Sequence, residues 1–170
     1  MTADPSHHSD LGHSRSSSDP KRPKFLILLL SGPNLNLLGE REPDVYGSKT
    51  LADHVASARL AAAPHGLEVE HFQTNHEGQL VDAIHAARNR CAAIVINPGA
   101  FTHYAWSIHD ALAAFDGPVV EVHLSNPNTR EAWRSTSVVA PVATGTVAGF
   151  GADGYRLAID AVAHILGAGE

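Results

Sequence analysis

From Lys24 onward, short aliphatic runs alternate with stretches of helical period. Residues 25–30 are continuously apolar, as a strand covered on both faces must be. Thr50 then precedes Leu51, Val55, Ala58 and Ala62, apolar positions at helical spacing, so the pattern predicts a helix capped by Thr50 and stopped near Pro64-His65-Gly66. Residues 67–73 read as a second strand. A helix follows from a cap at Asn75 to about Arg90, with Leu80, Ile84 and Ala87 inward, and residues 92–96 form a third, strongly apolar strand. A third helix starts at Thr102 or His103 and runs through Ile108 and Leu112. Residues 118–123 and 144–150 are the fourth and fifth strands, and a last helix over 152–166 turns Leu157, Ile159, Val162 and Ile165 inward. The segment 126–141 is polar, carries two arginines and holds at most one helical turn after Pro127. Five strand–helix pairs joined by right-handed crossovers predict an α/β protein: a flavodoxin-like, five-stranded parallel sheet of order 2-1-3-4-5 with helices on both faces, and not a six-stranded dinucleotide fold.

Composition narrows the class of partner. The chain has 170 residues, enough for one ordinary domain with a real core, which the pattern confines to 24–170. Residues 1–23 are rich in Ser, His, Asp and Pro and nearly devoid of aliphatics, the composition of a disordered tail without the apolar segment of a secretory signal. His7, His8 and His13 can bind metal weakly, but the composition favours a solvated tail over a metal site. A net charge of −6 without basic blocks argues against nucleic acid. No apolar run approaches the roughly 20 residues needed to span a bilayer. The single cysteine, Cys91, has no internal disulfide partner, so a cytoplasmic protein is expected.

Polar groups gather where the strands end. Asn34 follows strand one, Asn75 strand two and Asn97 strand three, while His123 and Ser125 close strand four. Open parallel sheets bind small molecules in the crevice outside those ends, so this convergence predicts a small-molecule site, although Asn75 alone reads equally well as a helix cap. The loop 31–47 is long and glycine-punctuated, as an active-site lid would be, and carries Arg41 and Tyr46. A free phenol has a pKa of about 10, so ionising it at neutral pH costs about 4 kcal/mol, and an adjacent cation recovers part of that. Arg41 is the cation in reach for a Tyr46 base; the plainer alternative packs the tyrosine ring and pairs the arginine with Glu40, Glu42 or Asp44. Strand alternation puts Glu121 and His123 on one side, so the carboxylate can orient the imidazole and favour its acid form, with Arg130 nearby. The backbone N–H groups of Leu124 and Ser125 can cradle an anion.

Asn34, Arg41, Tyr46, Asn97-Pro98-Gly99-Ala100 and Glu121-Val122-His123-Leu124-Ser125-Asn126, with Gly32-Pro33-Asn34-Leu35-Asn36-Leu37-Leu38-Gly39 and Asn75-His76-Glu77-Gly78, closely resemble the type II 3-dehydroquinate dehydratases from about Phe25 to Leu166. The resemblance implies reversible trans-dehydration of 3-dehydroquinate to 3-dehydroshikimate, in the shikimate pathway or quinate breakdown, with no metal or organic cofactor. It implies Tyr46 as base beside Arg41, Asn34 holding a water on the enolate oxygen, and His123 as acid oriented by Glu121. It further implies that Asn97, His103 and Arg134 bind ring hydroxyls, that the Leu124 and Ser125 amides take the substrate carboxylate, and that Arg130 supports the lid. Trimers assembled into dodecamers are implied as well, with Asp110 reaching a neighbouring subunit's site. Ser31 stands where the family usually has asparagine, Phe101 replaces a common tyrosine, and Glu131-Ala132-Trp133-Arg134 departs from a usual Glu-Pro-Phe-Arg.

Rival readings on the same topology lack their chemistry. A phosphoacceptor receiver needs an acidic pair after strand one and an aspartate ending strand three, where this chain has Asn34 and Asn97. A flavodoxin needs a hydroxyl-rich phosphate loop where Gly-Pro-Asn-Leu-Asn stands. A catalytically inactive assembly or binding module on the same fold is the alternative from a different class.

Overall fold

The computed structural model describes residues 25–40 and 48–168. The expected tail over 1–23, Arg41 and Tyr46 lie outside the described residues. Strands β1 (Phe25–Ser31), β2 (Leu67–Gln73), β3 (Ala93–Asn97), β4 (Val119–His123) and β5 (Gly145–Ala148) form one sheet of order β2-β1-β3-β4-β5. Every pairing is parallel, with Leu30 beside Phe72 and Ile96, and Ile96 beside Glu121. The expected sheet and its order are therefore present.

Alternation along β1 sorts the core into two layers. Ile27 and Leu29 join Val95, Val120 and Val122 under α1 (Leu51–Ala62) and α4 (Gly154–Ile165). Leu28 and Leu30 join Ile94 and Ile96 under α2 (Glu77–Ala87) and α3 (Trp106–Ala113). Thr50 caps α1 in a reciprocal box: its hydroxyl accepts from the Asp53 N–H at 3.2 Å, and its own N–H donates to Asp53 Oδ2 at 2.9 Å. The last turn winds down through Pro64 to Gly66, whose φ of +68° is open to glycine.

Several local expectations are corrected. Asn75 does not cap α2; His76 occupies that position, and its N–H is taken by Thr74 Oγ1. Helix α3 starts at Trp106, because residues from Gly99 to His103 wind into a 3-10 turn that commits Thr102 to a buried carboxylate. The buried face of α4 runs through Tyr155, Ala158, Ile159, Val162 and Ala163, so Ile165 is exposed and Leu157 only half-buried. Among the described residues there are four α-helices; the β4–β5 crossover consists of 3-10 turns at Pro127–Thr129, Ala132–Ser135 and Ala140–Val142. These are three turns where at most one was expected, and two buried valines, Val138 and Val139, pin this otherwise polar segment to the α2–α3 layer.

The loops leaving β1 and β3 interlock. The Gly32 N–H donates to the Asn97 carbonyl at 2.8 Å, and a Cβ on Gly32 would lie 2.3 Å from the Pro98 carbonyl oxygen. Gly99, at φ +56°, brings its backbone against Pro33 in return. Gly32→Ala should lower stability by at least about 2 kcal/mol, since backbone must move to admit the methyl. Gly78→Ala, in open space on α2, should instead raise it by about 0.5 kcal/mol. Denaturant midpoints of the two variants check this, and equal midpoints would contradict the close approach.

Candidate active site

One crevice opens at the carboxyl edge of the sheet, lined by Pro33, Asn34, Leu35, Leu37, Leu38, Asn97, Gly99, Ala100, His103, His123, Leu124, Ser125, Pro127, Arg130 and Arg134. The ends of β1, β3 and β4 and the first turns of the β4–β5 crossover build it. Of the side chains singled out in the sequence, Asn34, Asn97, His103, His123, Arg130 and Arg134 meet here, together with Leu124 and Ser125. Asp110 is exposed on α3 and does not line it, and Asn75 stands behind Asn34 without reaching the lining.

Asn34 is the one non-glycine residue in the left-handed region among the described residues, at φ 65°. That conformation costs an L-residue roughly 1–2 kcal/mol, least for Asn. The Asn34 carbonyl accepts from the Leu37 N–H, starting the turn that carries Leu35 and Leu37 into the lining.

Asn97 is held from both ends. Its Oδ1 accepts from the Gly99 N–H, and its Nδ2 donates to the Tyr155 hydroxyl, each at 3.2 Å. Burial pushes the Tyr155 phenol up, against hydrogen bonds to Asn97 and Ser31, so it stays protonated. Ser31 in turn contacts His71 Nε2 at 3.0 Å. The chain of hydrogen bonds Asn97–Tyr155–Ser31–His71 thus underlies the crevice, which accounts for a fully buried serine at the end of a hydrophobic strand.

His123 sits over Glu121. The imidazole Nε2 donates to Glu121 Oε1 at 2.8 Å, and the carboxylate has no solvent exposure. Burial works against the charge on Glu121, but hydrogen bonds from His123, Thr102 and Ser137 outweigh it and hold the carboxyl below the usual range. The Ser137 hydroxyl donates at 3.0 Å and itself accepts from the Val139 and Ala140 N–H groups. A fixed carboxylate fixes the imidazole: Nε2 carries the proton on the Glu121 side, leaving Nδ1 to exchange one elsewhere.

Beyond His123 the chain turns. The carbonyls of His123 and Leu124 accept from the Gly149 and Gly151 N–H groups, at 3.1 and 2.9 Å. Planar trans peptides then turn the Leu124 and Ser125 N–H groups to the opposite side together, the arrangement that receives an anion. His103 Nδ1 donates to the Thr136 carbonyl at 2.7 Å, which leaves its Nε2 as an acceptor when the ring is neutral. Arg134 lies over the Trp133 ring, 4.1 Å from its centroid, and pairs with Glu131 at 2.7 Å, while Arg130 adds a second cation to the rim.

Sequence reasoning missed Thr102, Ser137 and Tyr155, the side chains that hold Glu121 and Asn97. Tyr155 was reachable: it stands three, four and seven positions before Ala158, Ile159 and Val162, on one helix face. Ser137 lies in a stretch without periodicity and carried no signal.

A crevice at the carboxyl edge of a 2-1-3-4-5 sheet defines a flavodoxin-like α/β protein, a class that binds small molecules at this edge. The family model for class II dehydroquinases matches residues 25–163. The chain is 56% identical over 143 residues to 3-dehydroquinate dehydratase 2 of Pseudomonas putida, covering 84% of this chain and 96% of that protein. It is 53% identical over 139 residues to a 3-dehydroquinate dehydratase of Corynebacterium glutamicum, covering 82% and 96%. The crystal structure of the type II dehydroquinase from Propionibacterium acnes superposes with a TM-score of 0.79 at 44% identity, again over 82% and 96% of the two chains. This chain belongs to the class II dehydroquinase family.

Glu121 makes a testable contribution to stability. Its folded pKa lies below its ordinary 4.5, so the ionised group stabilises the fold fully above that value, and the benefit is lost as pH falls through the lowered one. Glu121→Gln should cost about 3 kcal/mol at neutral pH and flatten the decline of Tm in acid. Thermal melts between pH 7 and 3 check this, and parallel wild-type and variant curves would contradict it.

Proposed function

We propose that this crevice carries out the trans-dehydration of 3-dehydroquinate, with the side chains described above in defined roles. The chain is a type II 3-dehydroquinate dehydratase, a hydro-lyase of the shikimate pathway that forms 3-dehydroshikimate. The observation that carries the site assignment is the buried Glu121–His123 pair, with His123 lining a crevice that Asn34, Asn97, Leu124 and Ser125 also line.

Dehydration next to a ketone needs a base on one face of the ring and an acid at the leaving hydroxyl. Tyr46, as a phenolate beside Arg41, removes the proton from the carbon adjacent to the ketone. The electron pair moves onto the ketone oxygen, and Asn34 holds the resulting enolate through a water. As the enolate collapses, the carbon–oxygen bond to the leaving hydroxyl breaks and His123 Nδ1 supplies the proton that makes it water. Glu121 keeps the imidazole oriented through its hydrogen bond to Nε2. Asn97, His103 and Arg134 bind ring hydroxyls, the Leu124 and Ser125 N–H groups receive the substrate carboxylate, and Arg130 supports the closed lid. Asp110, exposed and away from its own crevice, serves the site of a neighbouring subunit in trimers that build a dodecamer, in the cytoplasm.

The formation of the conjugated enone is followed by its ultraviolet absorbance when purified, metal-free protein meets 3-dehydroquinate. Wild type should show a steady rise, and Tyr46→Phe should lose on the order of a thousandfold in rate while keeping its fold. A near-normal rate in the variant would remove Tyr46 as the base. No rise with either protein, both folded, would favour the inactive-module reading.

A further inference from the structure

We infer that Asn75 is a positioning residue for the reaction, acting through Asn34 by accepting its backbone N–H. The inference rests on the role proposed above for Asn34. The Asn75 side chain reaches across from the end of β2 and takes the Asn34 N–H on Oδ1 at 2.9 Å, joining residues 41 apart in the chain. Asn34 is the residue held at a positive φ, and its side chain takes no part in capping the turn that follows. Its backbone is thus fixed at the N–H by Asn75 and at the carbonyl by Leu37, while its side chain lines the crevice.

The orientation of Asn75 is itself determined. Gln73 Nε2 donates to Asn75 Oδ1 at 3.2 Å and lies 3.3 Å from the Gly32 carbonyl and 3.4 Å from Asn36 Oδ1. Two donors converge on Oδ1, so the amide oxygen, not its nitrogen, faces the β1 loop. Helix α2 draws nothing from this side chain, since Thr74 takes the His76 N–H. Strand β2 and Asn75 contribute no lining residue to the crevice, yet through this contact they support its β1 wall.

A residue that positions a group acting on the enolate affects the transition state more than the bound substrate, so its loss appears in kcat. Asn75→Leu, similar in size but without an acceptor, should lower kcat on the order of tenfold with KM changed by less than about twofold. Asn75→Asp keeps the acceptor and should hold kcat within about twofold of wild type, whereas Asn75→Gln displaces it and should fall well below Asn75→Asp. Steady-state kinetics with 3-dehydroquinate, beside thermal melts of each variant, read the outcome. A wild-type kcat in Asn75→Leu, or equal losses in the Asp and Gln variants, would overturn the inference; the Asp–Gln comparison decides it if the leucine variant does not fold. Inactive wild-type protein would overturn the assigned reaction, which is distinguishable because no variant is needed to see it.

Discussion

At Gly32 the loop leaving β1 passes so near the loop leaving β3 that the Pro98 carbonyl occupies the space a side chain would need. The hydrogen bond from the Gly32 N–H to the Asn97 carbonyl prolongs the β1–β3 pairing past the strands and locks the two loops in register. Asn34 and Asn97 lie two residues beyond and directly at this crossing. Their separation is therefore set by backbone packing, which varies far less than a contact between flexible side chains. Pro33 and Pro98 stiffen both arms, and the left-handed turns at Asn34 and Gly99 aim them.

The remaining polar groups are placed by buried hydrogen bonding. A carboxylate with no solvent exposure is tolerable only when its oxygens are satisfied, and Glu121 meets this with Thr102, Ser137 and His123. Asn97, Tyr155, Ser31 and His71 form a second satisfied chain beneath the other side of the crevice. Each chain ties a crevice residue to a different layer of the fold: Ser137 to the β4–β5 crossover, Tyr155 to α4. The imidazole and the amide are consequently presented by the sheet while being held from the helices and loops around it.

Much of this was legible in the residues. Alternation in β4 put Glu121 and His123 on one side, and their hydrogen bond bears that out. The strand order, the Thr50 cap and the gathering of Asn34, Asn97 and His123 at one edge followed from apolar runs and their ends. What escaped were pairings without a period. Ser137 meets Glu121 from an irregular crossover, and Asn75 looked like a helix cap because asparagine is a good one; its partner is 41 residues away. The face of α4 was misjudged by following Leu157 and Ile165, where the tighter set around Tyr155 and Ala158 is what packs on the sheet.

A crystal structure of the protein with 3-dehydroshikimate bound bears most directly on this arrangement. The ring should lie between Asn34, Asn97 and His123, its carboxylate against the Leu124 and Ser125 N–H groups, with the imidazole still on Glu121 and facing the carbon that lost its hydroxyl. A ligand seated outside this crevice, or one whose carboxylate turns away from those two N–H groups, would contradict it.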